Sequence, residues 1–505
     1  MSNLSSNIPM IDLSNYIIDP EALKSIPEEL AREYKVIPLF RVRDTLTVAI
    51  ADPSDVIAID KVRAVTGCDI QTLMASEDEI KMAIDHNYNV GASLEQIIKN
   101  LKGMDFNIEK ISDANRVQKI VEEPPIIKLV NLIIYQALKD RASDIHIEPT
   151  QKKVNVRLRI DGVLHDVFSL PLEIHMPMVC RIKVISRLDI VESRRPQDGH
   201  FYMRVGQRDV DFRVSTLPLA FGEKVVIRIL DRSTAFLTLD KLGFSEEALK
   251  KFESMIKKPY GIILVTGPTG SGKTSTLYAA LSRLNSRDKN IVTLEDPREY
   301  ILEGINQAEI NTAIDFTFAN GLRSILRQDP DIIMIGEIRD TETAQIAIRS
   351  ALTGHLVLSS LHTNDAAGAI TRLIDMGVEP FLIASSLIGV LAQRLVRVIC
   401  SNCKQQYQPE EEVYNKLSLD KDNRISLYRG KGCIQCRHTG YKGRVGIFEV
   451  LVMNEHLREL TTKNRPTIEI QQAAEQAGMI TLKQDGYDKV MKGITTLEEV
   501  LRVVS

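Results

Sequence analysis

The sequence contains no tryptophan, and only 5% of its 505 residues are aromatic. It has no apolar run near the roughly 18–20 residues that a membrane-spanning helix needs. Its first twenty residues lack the basic start and apolar core of a secretion signal. We therefore expect a cytosolic chain that reaches a membrane only through partner proteins. The 64 basic and 67 acidic residues give a net charge of −3, which argues against a general nucleic-acid-binding protein.

Cysteine is also scarce: six are present, and four of them form two Cys-x-x-Cys pairs. The pairs are Cys400 with Cys403 and Cys433 with Cys436. Disulfides are rare in the cytosol, so two such pairs predict a tetrahedral zinc site with four thiolate ligands. A redox pair is the weaker alternative, because neither pair opens a thioredoxin-like unit. Since the protein supplies all four ligands, the predicted zinc is structural.

The remaining composition, 44% hydrophobic and 26% charged, is that of a globular protein of several domains. Strands and helices alternate from residue 246 onward, which predicts a parallel sheet covered on both faces. A hairpin signal at Asp161–Gly162 lies within a predicted α+β domain. The predicted parts are an α/β module at 1–85, a polar linker at 86–123, the α+β domain at 124–230, a linker at 231–245 and the parallel-sheet domain at 246–505, with the zinc subdomain at about 398–440.

The most specific motif is GPTGSGKT, which lies between an apolar strand, IILVT, and a helical run, STLYAALSRL. This is the context of a phosphate-binding loop. Its glycines let backbone N–H groups turn toward phosphate oxygens, Lys273 supplies a cation, and Thr274 offers a hydroxyl ligand to Mg²⁺. We predict a nucleoside triphosphate site and hydrolysis there. The predicted binding residues are Gly267, Pro268, Thr269, Gly270, Ser271, Gly272, Lys273, Thr274 and Ser275.

Two acidic segments follow further predicted strands. In DIIMIGEIRD, Glu337 ends a buried strand at the sheet edge where ligands bind, and it can hold Mg²⁺ directly or through water. In IVTLEDPREY, Glu295, Asp296 and Glu299 end another strand, where a carboxylate can align the attacking water. For Asp296, a turn around Pro297 is an equal alternative; for Glu299 we favour a catalytic role.

Arginines and histidines complete the predicted site. Guanidinium groups stabilise charge on a transferred phosphoryl group and can come from a second domain or subunit, although ordinary surface ion pairs are an equal alternative. Two histidines flank a short apolar strand, where they could sense the γ-phosphate or relay between subunits. A satisfied core residue or a strand-end polar group is the open alternative. The candidates are Arg213, Arg228, Arg323, Arg327, Arg339, His355 and His362.

Together these motifs resemble the secretion ATPases of bacterial type II secretion systems and the related pilus-extension ATPases of type IV pili. The resemblance covers residues from about 124 to 505. The matching segments are SDIHIEP, RLRIDGVLHDV, RPQDGHFYMRVGQRDVDFRVSTLP, GPTGSGKT, LEDPRE, LRQDPDIIMIGEIRD, LTGHLVLSSLHTN, LAQRLVR, both cysteine pairs and ITTLEEVLRVV. In LEDPRE, Arg298 stands where the family usually has an apolar residue. This difference concerns local packing and does not change the acidic residues of the segment.

The resemblance implies a homohexameric ring with ATP and Mg²⁺ in a RecA-like core, next to a PAS-like domain at 124–230. It implies Glu337 on the magnesium side, Glu299 as the base, and the five arginines around the phosphates or between subunits. Such a motor would power pseudopilus assembly and protein export, with pilus extension as the alternative; a nucleic-acid motor fits less well.

The resemblance also implies a place for the N-terminal residues, which in secretion members dock on the cytoplasmic part of an inner-membrane platform protein. We therefore expect this chain at the cytoplasmic face of that membrane. Residues 1–85 lack the paired Leu-Gly motifs with which some relatives bind a cyclic dinucleotide, so we predict no such ligand.

Overall fold

The computed structural model describes residues 9–13, 16–88, 123–205, 208–231, 238–410 and 426–504. The chain divides into two compact units, residues 1–234 and residues 235–505. Most of the two predicted linkers lies outside the described residues. Within the described ranges, no helix is both long and apolar enough to cross a membrane.

The first unit begins with a small α/β module, as predicted for residues 1–85. Its sheet has the order β2-β3-β4, where β2 and β3 form an antiparallel hairpin and β4 runs parallel to β3. Buried residues such as Leu39, Leu46 and Val48 form its core. The elements are β2 Val36–Val42, β3 Thr45–Ile50, β4 Asp69–Met74, α1 Pro20–Leu23, α2 Glu28–Glu33, α3 Val56–Thr66 and α4 Glu77–Asn87.

The rest of the first unit is built on a larger sheet, which confirms the predicted hairpin at Asp161–Gly162. Helices α5 (Pro124–Lys139) and α6 (His175–Ile185) share one apolar cluster with it. The strands are β1 Tyr16–Ile17, β5 Ala142–Pro149, β6 Lys153–Ile160, β7 Val163–Pro171, β8 Gln197–Val205, β9 Arg208–Leu219 and β10 Gly222–Asp231. Their order is β1-β8-β9-β10-β5-β6-β7.

Strand β1 joins the two parts that the sequence analysis separated. It comes from the N-terminal segment but pairs in parallel with the end of β8, at Arg204 and Val205. Close by in sequence, the Asp19 carboxylate accepts a hydrogen bond of 2.7 Å from the Tyr135 hydroxyl of α5. The N-terminal module and the following domain are therefore one compact unit. A two-residue strand is too short for hydrophobic periodicity to predict.

The second unit contains the predicted parallel sheet. Its order is β13-β12-β14-β15-β11-β16-β19, and the last strand alone runs antiparallel to its neighbour in this described sheet. The strands are β11 Gly261–Thr266, β12 Ile291–Glu295, β13 Asn306–Glu309, β14 Ile332–Ile335, β15 Leu356–Leu361, β16 Leu387–Ile399 and β19 Tyr441–Val452.

Helices cover both faces of this sheet, as predicted. In β11, Ile262 and Leu264 belong to one apolar cluster, while Ile263 and Val265 belong to another. Alternate side chains of the strand therefore pack into two cores, one on each face of the sheet. The helices are α7 Glu246–Ile256, α8 Lys273–Leu284, α9 Phe318–Ile325, α10 Thr341–Leu352, α11 Ala367–Asp375, α12 Pro380–Ser386, α13 Glu455–Thr462, α14 Thr467–Gln476, α15 Leu482–Met491 and α16 Leu497–Val504.

Strands β16 and β19 continue past the sheet as a two-stranded ribbon, paired as far as Ile399 and Tyr441. The four cysteines lie at its far end, beside a short hairpin of β17 (Lys404–Tyr407) and β18 (Leu427–Gly430). The ribbon thus connects the nucleotide-binding sheet directly to the predicted zinc subdomain.

Candidate nucleotide site and metal centre

The phosphate-binding loop lies between β11 and α8, at the carboxyl edge of the parallel strands. Gly267, Gly270 and Gly272 have φ angles of 147°, 79° and 89°, a region that side chains disfavour. A Cβ on Gly267 would lie 2.5 Å from the backbone oxygen of Gln393, and one on Gly272 would lie 2.7 Å from the amide nitrogen of the same side chain. Glycine is therefore needed at both positions for backbone conformation and for space.

Lys273, the first residue of α8, folds back over the loop. Its Nζ donates hydrogen bonds of 2.8 Å to the Gly267 oxygen and 3.2 Å to the Pro268 oxygen. Burial lowers the pKa of Lys273, and the nearby Glu337 carboxylate opposes that shift. The ammonium group and Glu337 therefore belong to one electrostatic site. Thr274 and Pro268 to Gly270 are exposed, whereas Ser271 is 4% exposed.

Glu337 follows β14 at the same edge of the sheet. One carboxylate oxygen pairs with the Arg339 guanidinium, and the other lies 3.2 Å from Nε2 of His362, which follows β15. Burial would raise the pKa of Glu337, but Arg339 and His362 outweigh it and lower the pKa. Arg339 also lies 3.6 Å from a carboxylate oxygen of Asp296. The structure thus brings together four of the predicted residues: Glu337, Arg339, His362 and Asp296.

Glu295, at the end of β12, is a buried carboxylate that several hydrogen bonds hold in place. It is 3% exposed and accepts hydrogen bonds from the Tyr278 hydroxyl, from Thr293 at 2.6 Å and from Gln307 at 3.1 Å. These contacts favour an anchoring role over the predicted catalytic one. The Tyr278 hydroxyl also accepts a hydrogen bond of 3.3 Å from the backbone N–H of Glu299. Tyr278 therefore connects the helix of the phosphate loop to the acidic segment.

The other predicted arginines have local partners. Arg323 pairs with Glu342 and donates to Asn320 at 3.1 Å, whereas Arg327 donates to the backbone oxygen of Arg323 at 2.8 Å. Both side chains are exposed. Arg213 and Arg228 face each other in register on β9 and β10 of the first unit, and Arg228 lies 3.1 Å from Asp144.

The structure favours the strand-end alternative for His355. His355 precedes β15, and its Nδ1 lies 2.9 Å from the Ser350 oxygen at the amino edge of the sheet. The length of β15, at about 3.3 Å per residue, puts it roughly 20 Å from the opposite edge. Only the second histidine of the motif, His362, comes after the strand. Strand direction could have decided between the two, because ligands bind at the carboxyl edge.

Sequence reasoning also missed the residues of β16 and β19 that support the site. Gln393, Arg394 and Glu449 are 1%, 8% and 2% exposed. The Thr276 hydroxyl of α8 donates 2.6 Å to the side-chain oxygen of Gln393. The signal was present: a glutamine and an arginine inside an otherwise apolar strand must find partners.

The four predicted metal ligands converge, with all four sulfurs within 4.8 Å of one another. The Sγ atoms of Cys400 and Cys433 are 3.9 Å apart, those of Cys403 and Cys436 are 3.8 Å apart, and those of Cys433 and Cys436 are 3.7 Å apart. A tetrahedron with metal–sulfur bonds of about 2.3 Å has edges of about 3.8 Å. These distances fit a single zinc ion and are too long for a disulfide, whose sulfurs lie about 2.05 Å apart.

Backbone and amide N–H groups point at these sulfurs. Gly432 donates to Cys403 and Gly440 donates to Cys436, each at 3.3 Å, and the Asn402 amide donates to Cys433 at 3.4 Å. Such donors stabilise thiolates and orient metal ligands. The donor set is therefore suited to zinc.

Two family models match the sequence. Residues 119–502 match the type II/IV secretion system protein family, and residues 6–94 match the MshEN domain. The chain belongs to the type II/IV secretion system protein family, and it is an ATPase of that family.

Curated relatives agree with this assignment. The chain is 46% identical over 504 residues to the type IV pilus assembly ATPase PilB of Myxococcus xanthus, covering 98% of this chain and 88% of that protein. It is 49% identical over 431 residues to the type II secretion system protein E of Pseudomonas aeruginosa, covering 85% and 86%. It is 44% identical over 502 residues to the corresponding protein of Pectobacterium carotovorum, covering 98% and 99%.

A solved structure of the pilus retraction motor PilT with bound ADP is similar to this chain, with 27% identity and a TM-score of 0.51. The alignment covers 74% of this chain and 95% of that one. The DotB ATPase of Legionella pneumophila, at 20% identity and a TM-score of 0.55, supports the fold alone. The resemblance stated from the motifs is thereby confirmed.

Proposed function

We propose that this chain hydrolyses ATP at the Gly267–Ser275 loop to drive assembly of a type II secretion pseudopilus and export of proteins. The observation that carries the hydrolytic site is the position of Glu337, which follows β14 at the same sheet edge as Lys273 and pairs there with Arg339 and His362. A phosphate-binding cation and a carboxylate at one edge are what phosphoryl transfer needs.

In this proposal the phosphate oxygens replace the carbonyls of Gly267 and Pro268 as acceptors for Lys273. Magnesium, when bound, would neutralise charge on the phosphates. The Thr274 hydroxyl and the Glu337 carboxylate would hold that ion, Glu337 either directly or through a water. Glu299 would take the proton from the attacking water, on a segment that Tyr278 fixes.

We further propose that the active form is a homohexameric ring. The resemblance supports this form, and so do the five arginines, of which Arg213 and Arg228 lie in the first unit. Guanidinium groups that arrive from another copy would stabilise the developing charge and make turnover depend on assembly. The N-terminal module would dock on the cytoplasmic part of an inner-membrane platform protein, which would keep the ring at that membrane.

Glu337→Gln is the direct test of the site. It removes the charge that pairs with Arg339 while it keeps the side chain's size, so ATP turnover should fall about 100-fold while ADP affinity changes by less than about threefold. Glu246→Gln is the matched control, because it breaks an exposed ion pair with Lys250, whose Nζ lies 2.6 Å from the Glu246 carboxylate. Turnover in Glu337→Gln equal to that of the control would reject the assignment.

Type IV pilus extension is the second candidate, and the match to PilB of Myxococcus xanthus over 98% of this chain favours it. Deletion of the gene distinguishes the two functions in the native bacterium. Loss of exported proteins with normal surface pili supports secretion, whereas loss of pili with normal export supports extension. Capture with the membrane proteins encoded nearby would identify the platform in either case.

A further inference from the structure

The segment between β15 and α11, residues 362–366, is held at three points; we name it the His362 loop. The His362 ring faces Glu337, as described above. Asn364 accepts two hydrogen bonds from Nη2 of Arg394, at 2.8 Å to its backbone oxygen and 3.3 Å to its side-chain oxygen. The backbone N–H of Ala366 donates 2.8 Å to the Glu449 carboxylate. Two of these three anchors come from the β16–β19 ribbon.

The other side of Arg394 faces the phosphate loop. Its Nη1 donates 3.1 Å to the backbone oxygen of Gln393 and lies 3.1 Å from where a Cβ of Gly267 would stand. That same oxygen is 2.5 Å from the Gly267 Cβ position, and the side-chain nitrogen of Gln393 is close to Gly272. The Gln393–Arg394 pair therefore contacts both ends of the turn that cradles phosphate.

Placing a guanidinium here is costly, because Arg394 is 8% exposed and a buried charge must be fully partnered. Burial lowers the pKa of Arg394, and the carboxylates of Asp365 and Glu449 oppose that shift. An apolar residue would fill the same space in the strand at less cost. The particular property of arginine is a rigid fork that binds two acceptors at once.

We propose that Arg394 is a positioning residue that couples the phosphate loop to the His362 loop. The fork spans the Gln393 carbonyl, against which Gly267 packs, and the Asn364 carbonyl, two residues beyond His362. When phosphate draws Lys273 away from the carbonyls of Gly267 and Pro268, the movement of the loop is transmitted through Arg394 to the contact between His362 and Glu337. This inference rests on the proposed role of Glu337 in hydrolysis.

A double-mutant cycle on the full-length protein tests the coupling. Arg394→Lys keeps the charge but cannot span both carbonyls, so turnover should fall about tenfold while the KM for ATP changes by less than about threefold. His362→Asn should also lower turnover. If Arg394 acts through the His362 loop, the double variant should turn over within about twofold of the slower single variant.

If the fold-loss of turnover in the double variant equals the product of the two single losses, the proposed coupling is rejected. The proposed hydrolytic site is unaffected by that result. Normal turnover in His362→Asn alone would instead reject the proposed role of the His362–Glu337 contact, and the coupling with it. Arg283→Gln is the control, since it removes an exposed arginine of α8 whose partner is Glu253 at 3.0 Å; its turnover should be unchanged.

Should Arg394→Lys fail to fold, Asn364→Ala carries the same test. Asn364 is exposed, and the substitution removes only the weaker of its two hydrogen bonds from Arg394. Turnover should fall about threefold, with no further loss in the His362→Asn background. If Asn364→Ala also lowers the turnover of the His362→Asn variant threefold, the proposal is rejected.

Discussion

The carboxylate of Glu499 is 2% exposed, and two arginines hold it. Nη2 of Arg502 lies 2.9 Å from one oxygen, the Arg397 side chain pairs with the other, and the backbone N–H of Arg397 adds a bond of 3.2 Å. Burial alone would raise the pKa of Glu499, but the two guanidinium groups outweigh burial and lower the pKa to about 2. A buried acid on the last helix thereby fixes α16 to β16.

We predict that Glu499→Gln destabilises the protein by about 2 kcal/mol near neutral pH, because it removes the buried carboxylate charge that pairs with half-buried Arg397 and exposed Arg502. The folded pKa lies below the ordinary value of 4.5, so the charged carboxylate contributes fully above that pH and loses its effect as pH falls toward 2. The gap in urea midpoint between wild type and variant should narrow from about pH 7 to about pH 3.5. Glu498→Gln, at an exposed neighbour, should show no gap at either pH.

A second prediction concerns Tyr278. Tyr278→Phe removes a donor to buried Glu295 and the acceptor for the Glu299 N–H, so turnover should fall about tenfold with little change in ADP affinity. Tyr300→Phe is the control, because that ring packs edge-on against Tyr278 at 4.5 Å. Equal losses in the two variants would contradict a specific role for the Tyr278 hydroxyl.

At the scale of elements, the phosphate loop, the parallel sheet and the cysteine site were all predictable. Each has a local signature: a glycine pattern between strand and helix, continuous apolar strands, or a fixed ligand spacing. The sequence could show that Gln393 needs a partner, but it could not show which one, because Thr276 and Gln393 are 117 residues apart in sequence. Such long-range contacts leave no periodic trace, and neither does a strand as short as β1. The sheet edge at which His355 lies could have been predicted from the direction of its strand.

The four cysteines at the end of the ribbon form the candidate zinc site. We predict that wild-type protein contains about one zinc per chain and that Cys403→Ser reduces this to near zero. Cys68→Ser, at a buried cysteine of the first unit, should keep the metal. Elemental analysis of the purified proteins measures both. A folded, metal-free wild type would contradict the zinc site.

At the scale of the whole molecule, the proposed ring makes activity a property of several copies. Arg228→Ala and Lys273→Ala should each abolish ATP turnover, for different reasons. If the arginine acts on a neighbour's nucleotide, mixing the two inactive proteins should restore part of the activity, because some neighbouring pairs combine an intact arginine with an intact loop. Turnover that stays at background in every mixture would indicate that the arginine acts within its own chain.

The ribbon of β16 and β19 gives the second unit a mechanical property. From Gln393, which packs on the phosphate loop, to Ile399, which precedes the first cysteine, it extends about 20 Å at about 3.3 Å per residue. We expect a paired ribbon of this length to be stiff, with one end at the phosphate loop and the other at the cysteine module. A tilt of about five degrees at the phosphate loop would then move the cysteine end by nearly 2 Å, taking about 20 Å as the length of the ribbon. A small movement at the nucleotide site would in this way become a larger displacement at a distant surface.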